Sequence, residues 1–267
     1  NKDAAEAVFA TTNKMGSDHY KTQIIKEALR VQPASLEAVK VALASASKIN
    51  SDHYKTEVLT SLMRQDNLTD AIVAEMINTS KSIQSDHYRT VVLTKALDRN
   101  LSSSSHQRAV ESVKDINSDH YKAQVIKSML NKTIDEKVLS ELLPVTSSIN
   151  SDHYRTEVLT SMLDRQDFSD ATFKQLVEYG ADMSSDHYKT VVFKNALDES
   201  DLSEAKVIAI INAAKNINSD HYLTEVLTHA ATRVRTGSDA LKNAYRDAAR
   251  KIGSETYYGR AMRALDR

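Results

Sequence analysis

Apolar residues recur along this chain with helical spacing, and the spaced segments themselves recur. From Ser51, the residues Tyr54, Val58, Leu59, Leu62 and Met63 fall at i, i+4, i+5, i+8 and i+9, one face of a helix. Tyr88, Val92, Leu93, Ala96 and Leu97 repeat that spacing, as do Tyr154, Val158, Leu159, Met162 and Leu163. Ser51 precedes the run as an N-cap, and Asp52 sits in the first turn, where the helix dipole favours a carboxylate. This predicts a helix A in each segment, with its tyrosine in the core. A polar break at residues 64–67 follows, anchored by Leu68 and its counterparts Leu101, Ile134, Phe168 and Leu202. A helix B is then predicted from about Thr69 to Ile83, capped by Thr69 or Asp70. Its stripe is Ile72, Val73, Met76, Ile77, Ser80 and Ile83. The Ser80 position holds Ala46, Val113, Thr146, Gly180 and Ala214 elsewhere, all small or β-branched, which predicts a close helix–helix approach. The Ile83 position stays large and apolar (Ile49, Ile116, Ile149, Met183, Ile217) just before the next cap.

The segments form a tandem array. Ser-Asp-His-Tyr begins at Ser17, Ser51, Ser85, Ser118, Ser151, Ser185 and Ser219, in steps of 34, 34, 33, 33, 34 and 34 residues. A degenerate copy, Ser254-Glu255-Thr256-Tyr257, follows 35 residues later. A unit of this length holds two helices that cannot bury their apolar faces alone, so successive units must stack. The expected fold is all-α: a right-handed α-solenoid of about seven two-helix repeats forming one domain over residues 1–267. Residues 1–16 would be an N-terminal half repeat. The full repeats would span 17–50, 51–84, 85–117, 118–150, 151–184, 185–218 and 219–253, with a capping helix at 254–267. In the half repeat, Ala4, Val8, Phe9, Thr12 and Met15 align with Ile72, Met76, Ile77, Ser80 and Ile83, so the array starts mid-repeat and further sequence is expected to precede Asn1. Residues 231–267 hold nine Lys/Arg against four Asp/Glu, the polar coat expected of a terminal cap.

Composition narrows the function classes. Only 5 Gly and 2 Pro occur, which suits helices and disfavours turn-rich β folds. Lys+Arg (35) and Asp+Glu (36) nearly cancel, and no stripe interleaves basic with aromatic residues, which argues against a nucleic-acid partner. No run of 18 apolar residues offers a transmembrane segment. The absence of Cys removes disulfides and thiolate metal sites.

The run Asp52-His53-Tyr54-Lys55-Thr56-Glu57-Val58-Leu59 resembles a HEAT-repeat core motif. The resemblance implies a ladder of hydrogen bonds between repeats, carried by Asp18/Lys21, Asp52/Lys55, Asp86/Arg89, Asp119/Lys122, Asp152/Arg155 and Asp186/Lys189. Leu223 replaces the basic residue in the unit from Ser219, so the ladder is expected to end there. The repeats are also similar to those attached to some bacterial membrane metallopeptidases of the antibiotic-sensor type, which implies a periplasmic or other extracytoplasmic setting rather than a cytoplasmic one. No His-Glu-x-x-His motif is present, so no peptidase role carries over.

The repeated histidines are the sharpest candidate chemistry. At about 100° per residue, His19, His53, His87, His120, His153, His187 and His221 point nearly opposite to the apolar stripe. The residues four positions later, Gln23, Glu57, Val91, Gln124, Glu157, Val191 and Glu225, share that outward row. Each imidazole could bond a neighbouring turn through its Ser or Asp and lock stacking, contact a ligand directly, or bind metal. Against metal, parallel helices lie about 8–10 Å apart, a shared Zn²⁺ needs ligand nitrogens at about 2.0–2.1 Å, and no third ligand is evident. No metal, cofactor or catalytic residue is therefore assigned. If the row is structural, protonation near about pH 6 is expected to loosen the array.

Units one to three also look duplicated in units four to six, about 100 residues later: Glu57-Val58-Leu59-Thr60-Ser61 recurs as 157–161, and Val91-Val92-Leu93 as Val191-Val192-Phe193. The outward row accordingly reads polar, acidic, apolar, twice over. The expected function is a non-enzymatic scaffold for a protein or peptide partner. The alternatives are a spacer or oligomerising arm of a larger, membrane-attached bacterial protein and, less favoured, metal binding by the histidine row.

Overall fold

The computed structural model describes residues 2–31 and 35–266, and among these the chain forms sixteen α-helices and no strand. The chain divides into two compact units, Asn1–Met129 and Leu130–Arg267, built on one plan. In the first unit, α2 (Asp18–Val31), α4 (Asp52–Leu62), α6 (Asp86–Leu97) and α8 (Asp119–Met129) are the A helices. The B helices are α1 (Lys2–Thr12), α3 (Leu36–Ser47), α5 (Asp70–Ser80) and α7 (Ser103–Lys114). A packs on the next A, B on the next B, and each B on the A that follows it, which makes two layers around one apolar seam.

The second unit repeats the plan. Its B layer is α9 (Glu136–Ser147), α11 (Asp170–Ala181), α13 (Glu204–Ala214) and α15 (Asp239–Ala249), and its A layer is α10 (Asp152–Arg165), α12 (Asp186–Asp198), α14 (Asp220–Arg235) and α16 (Glu255–Asp266). This is the α-solenoid repeat architecture. The boundary between units falls inside the repeat at 118–150, between α8 and α9.

The helix starts follow their caps. Ser51 and Ser219 accept from the backbone N–H three residues on, whereas Ser85, Ser151 and Ser185 hold the extended cap conformation without that bond. Thr69 is the N-cap of α5, and the helix ends at Ser80, three residues short of the expected limit. Ile83 is nonetheless fully buried, held by its N–H bond to the Ser80 carbonyl. The small-residue position is buried in every repeat, and at Gly180 an added Cβ would lie 3.3 Å from Val192 and 3.4 Å from Phe193. Close approach is thus the reason for small residues there.

One expectation about the core is corrected. The tyrosines are not inside: Tyr20 is 62% exposed, and Tyr54, Tyr88, Tyr121, Tyr154, Tyr188 and Tyr222 are half-buried. The next two positions turn inward instead. Lys21, Lys55, Arg89, Lys122, Arg155 and Lys189 are buried, as are Thr22, Thr56, Thr90, Ala123, Thr156 and Thr190. The face is centred between Lys55 and Leu59, which sets the tyrosine roughly 120° away at about 100° per residue.

At the N-terminal end Phe9 and Thr12 are buried as aligned, but Val8, the counterpart of buried Met76, is 37% exposed. Among the described residues the first helix pair has one neighbour rather than two. Met15 is half-buried, and the side chain of Ala4 lies outside the described residues. At the other end the Tyr245 hydroxyl donates to the Ala261 carbonyl at 2.8 Å, tying α15 to α16. Burial holds that hydroxyl well above the usual tyrosine range. Arg246, Arg250, Lys251, Arg260 and Arg263 face solvent there.

Candidate functional site

The Ser-Asp-His-Tyr turn that opens each A helix gives its residues separate tasks. The aspartate turns to the next repeat. Asp18 Oδ2 accepts from the Asn50 and Ser51 N–H groups, both at 3.0 Å. Asp52 does the same with Gln84 and Ser85, and Asp86 with Asn117 and Ser118. In the second unit Asp152 accepts from Ser185, and Asp186 from Asn218 and Ser219. Asp119 stands at the same position of α8. Asp18, Asp52, Asp86, Asp152 and Asp186 thereby bind the backbone where helix B hands over to the next helix A.

The basic residue does not share that bond, which corrects the single Asp/basic ladder expected from the resemblance. The lysines stay within their own repeat: Lys55 Nζ donates to Ser82 Oγ at 2.8 Å and Lys189 Nζ to the Asn216 carbonyl at 2.8 Å. Lys21 and Lys189 also lie 3.7 and 3.4 Å from their own aspartates. The arginines reach back to the preceding helix end. Arg89 donates to the Ile83 and Lys81 carbonyls, and Arg155 to those of Ile149 and Ser147. The arginines and Lys189 satisfy orphan carbonyls at the end of a B helix, and Lys55 bonds a hydroxyl there. Burial lowers the Lys55 pKa, opposed by the charges of Asp52 and Asp18. Leu223 shows that an apolar residue fills the same place, 1% exposed. The aspartate row does not stop there as expected: Asp220 accepts from Gly253 at 3.1 Å and Ser254 at 2.8 Å.

Two further sets of bonds join repeats, and the sequence reading missed both. At the start of the B helices, Asp70 accepts from Ser102 and Ser105, Glu136 from Ser169 and Thr172, Asp170 from Ser203, and Glu204 from Ser238. Burial pushes the Asp70 and Glu136 carboxyls up, but these hydrogen bonds outweigh it and hold both below the ordinary carboxylate value. At the end of the A helices, Gln65 donates to the Leu29 carbonyl, Arg99 to that of Met63, and Arg233 to those of Leu197 and Glu199. Gln166 accepts from Ile134 N–H and donates to the Leu130 and Lys132 carbonyls. The recurring acidic first-turn residue of helix B was the available signal for the first set.

The histidines are the part of the turn that stacking leaves outside. His19, His53, His87, His120, His153, His187 and His221 are all exposed. Among the described residues, the rings of His19, His53, His87, His153, His187 and His221 bond no Ser or Asp. Each packs against the tyrosine beside it, with centroids 5.0–5.3 Å apart. Most also meet the tyrosine of the next repeat, at 5.5–5.7 Å in the first unit and 5.8–6.2 Å in the second. His19 Nδ1 lies 3.2 Å from Tyr54 Oη. The result in each unit is a surface ridge of alternating imidazole and phenol rings.

One turn further along the helices lie the other residues of the predicted row. Gln23, Val91, Gln124 and Val191 are exposed, and Glu57, Glu157 and Glu225 half-exposed. Glu157 and Glu225 approach His153 and His221 at 3.4 and 3.5 Å, and Lys26 donates to Glu57 at 3.1 Å. Val91 and Val191, each 37% exposed, occupy equivalent places one hundred residues apart.

Among the described residues no three His, Asp or Glu side chains stand close enough to hold a metal ion, and no helix is long and apolar enough to cross a membrane. An open furrow between α11 and α13 is lined by Ala205, Ile208 and Ala209, with the Lys174–Glu178 pair on its rim.

No protein-family model and no curated protein matches the chain. Five chains among solved structures match it. One, described as "Computational Design of Self-Assembling Cyclic Protein Homooligomers", is 11% identical over 99% of this chain and 88% of that chain. Its TM-score of 0.17 is too low to bear on shape or function.

Proposed function

We propose that the chain is a non-enzymatic, HEAT-like scaffold that holds a protein or peptide against its A-helix surface. The observation that carries this reading is the division of labour within the repeated turn. Serine, aspartate and the basic residue serve folding and stacking, whereas the histidine is exposed in all seven copies. Exposed imidazoles are not needed to bury the seam. Solenoids present long repeated surfaces of this kind to extended partners. A spacer role would need only the inter-repeat bonds and would leave the ridge free to vary.

Selection from a random peptide display library tests the proposal. Wild-type protein should enrich peptides that are lost when His53, His87, His153 and His187 are together replaced by alanine, with the melting temperature unchanged. Failure to enrich any peptide, or enrichment indifferent to those four changes, would leave the spacer reading in its place.

A further inference from the structure

We infer that the aromatic ridge takes a proline-rich segment in the polyproline II conformation, an inference that rests on the scaffold reading and names its partner. Pitch and hydrogen-bonding sense both favour such a ligand. Each repeat contributes one tyrosine to the ridge, linked to the next through a single histidine ring by contacts of 5.2 and 5.7 Å at His87. Packed parallel helices advance the ridge by about 8–10 Å per repeat. A polyproline II helix completes one three-residue turn in about 9.3 Å, so equivalent groups of such a ligand meet equivalent tyrosines turn after turn. An α-helix repeats every ~5.4 Å. A β-strand presents like side chains every ~6.6 Å. Neither stays in step with the ridge.

The chemistry agrees with the pitch. Tyrosine hydroxyls and imidazole N–H groups offer donors along the ridge, and ring faces and edges offer apolar contact. Proline residues have carbonyl acceptors and no N–H, and in polyproline II those carbonyls point free. Such a ligand is already ordered before it binds, so little conformational entropy is lost on an open surface. Tyr54, Tyr88 and Tyr121, with His53 and His87 between them, form the best-defined stretch.

Oligoprolines of six, nine and twelve residues, titrated against the intact chain, test the inference. The chain has 11 Tyr and no Trp, so tyrosine emission reports on the ridge directly. Each added turn should tighten binding roughly threefold to tenfold until the ridge of a unit is covered. His53→Ala with His87→Ala should remove most of the gain. Tyr88→Phe should weaken binding while keeping the ring. His229→Ala, off the ridge, should leave oligoproline binding unchanged. His53 and His87 are exposed, so their replacement should leave the melting temperature at the wild-type value. Absence of oligoproline binding at millimolar concentration, or binding without dependence on three-residue steps, overturns the inference. Preference for a β-forming threonine-rich peptide or a β-1,4-linked glucan oligomer overturns it as well. Display peptides that need the ridge histidines but lack proline would sink this inference alone and leave the scaffold reading standing.

Discussion

At the scale of single residues, the repeated turn separates bonds that hold the array from groups that the array carries. Asp52 is of the first kind, since one carboxylate oxygen accepts from both Gln84 and Ser85 N–H. Asp52→Ala leaves two backbone donors at the junction without their partner and should cost about 2 kcal/mol, read by chemical denaturation. Asp52→Asn keeps an acceptor and should cost about half as much. Equal losses for the two variants would mean that the hydrogen bonds contribute little there. The neighbouring threonine behaves in the opposite way. The hydroxyls of Thr22, Thr56, Thr90 and Thr224 are buried and find no partner among the described residues, while Thr190 bonds the Asp186 carbonyl one turn back. Removing an orphan hydroxyl without changing shape should help, so Thr56→Val is expected to stabilise the protein by about 1 kcal/mol. Ala123 at the equivalent place shows that the position does not require oxygen. A loss of stability in Thr56→Val would show that the hydroxyl has a partner after all.

At the scale of helices, packing is set by pairs of positions that vary together. Phe193 fills a place held by Leu59, Leu93 and Leu159 in other repeats, and Gly180 faces it where Ala46, Ser80 and Thr146 stand in those repeats. The larger ring and the missing methyl compensate each other. Gly180→Ala should therefore lose about 1 kcal/mol to crowding despite its better helix propensity. In a Phe193→Leu background the same change should become neutral or stabilising, a coupling of roughly 1 kcal/mol in a double-mutant cycle. Simple additivity would refute the pairing. Much of this layer was readable beforehand, because small residues at one position and large apolar ones three residues later carry their geometry in their size. The tyrosines were misread because hydrophobic pattern alone ranks Tyr54 above Lys55 for burial. The helix starts at Asp52, however, and the register of Val58, Leu59 and Leu62 turns the lysine inward, where its stem packs and Ser82 Oγ accepts a hydrogen bond from its ammonium. The bonds from Gln65, Arg99 and Gln166 to the preceding A-helix ends had no sequence signal beyond a polar residue near a loop. The ridge itself was half legible: period and wheel placed the histidines outside, but only coordinates could join each one to the tyrosine of the next repeat.

At the scale of the whole molecule, the exposed histidine ridge and the carboxylates between repeats predict different responses to acid. Histidine is the side chain whose charge changes between about pH 5 and 8, and a loosening of the array in that range was the expectation from sequence. The geometry argues otherwise. The exposed ring of His19 faces the Tyr54 hydroxyl, and those of His153 and His221 lie beside Glu157 and Glu225 on the surface, so none of the three is wedged into the apolar seam. The carboxylates between repeats differ. Asp70 and Glu136 are held below their ordinary values by bonds that cross from one B helix to the next. A depressed carboxylate contributes stability that is complete above its unfolded value of about 4 and disappears as pH falls through the lower folded one. Melting temperature should therefore stay level from about pH 7.5 to 5, and fall steeply only below about pH 4. Asp70→Asn should flatten part of that acid limb, because the group that titrates is gone. A melting temperature that falls around pH 6 and is restored by replacing the ridge histidines with glutamine would instead make those rings part of what holds the repeats together.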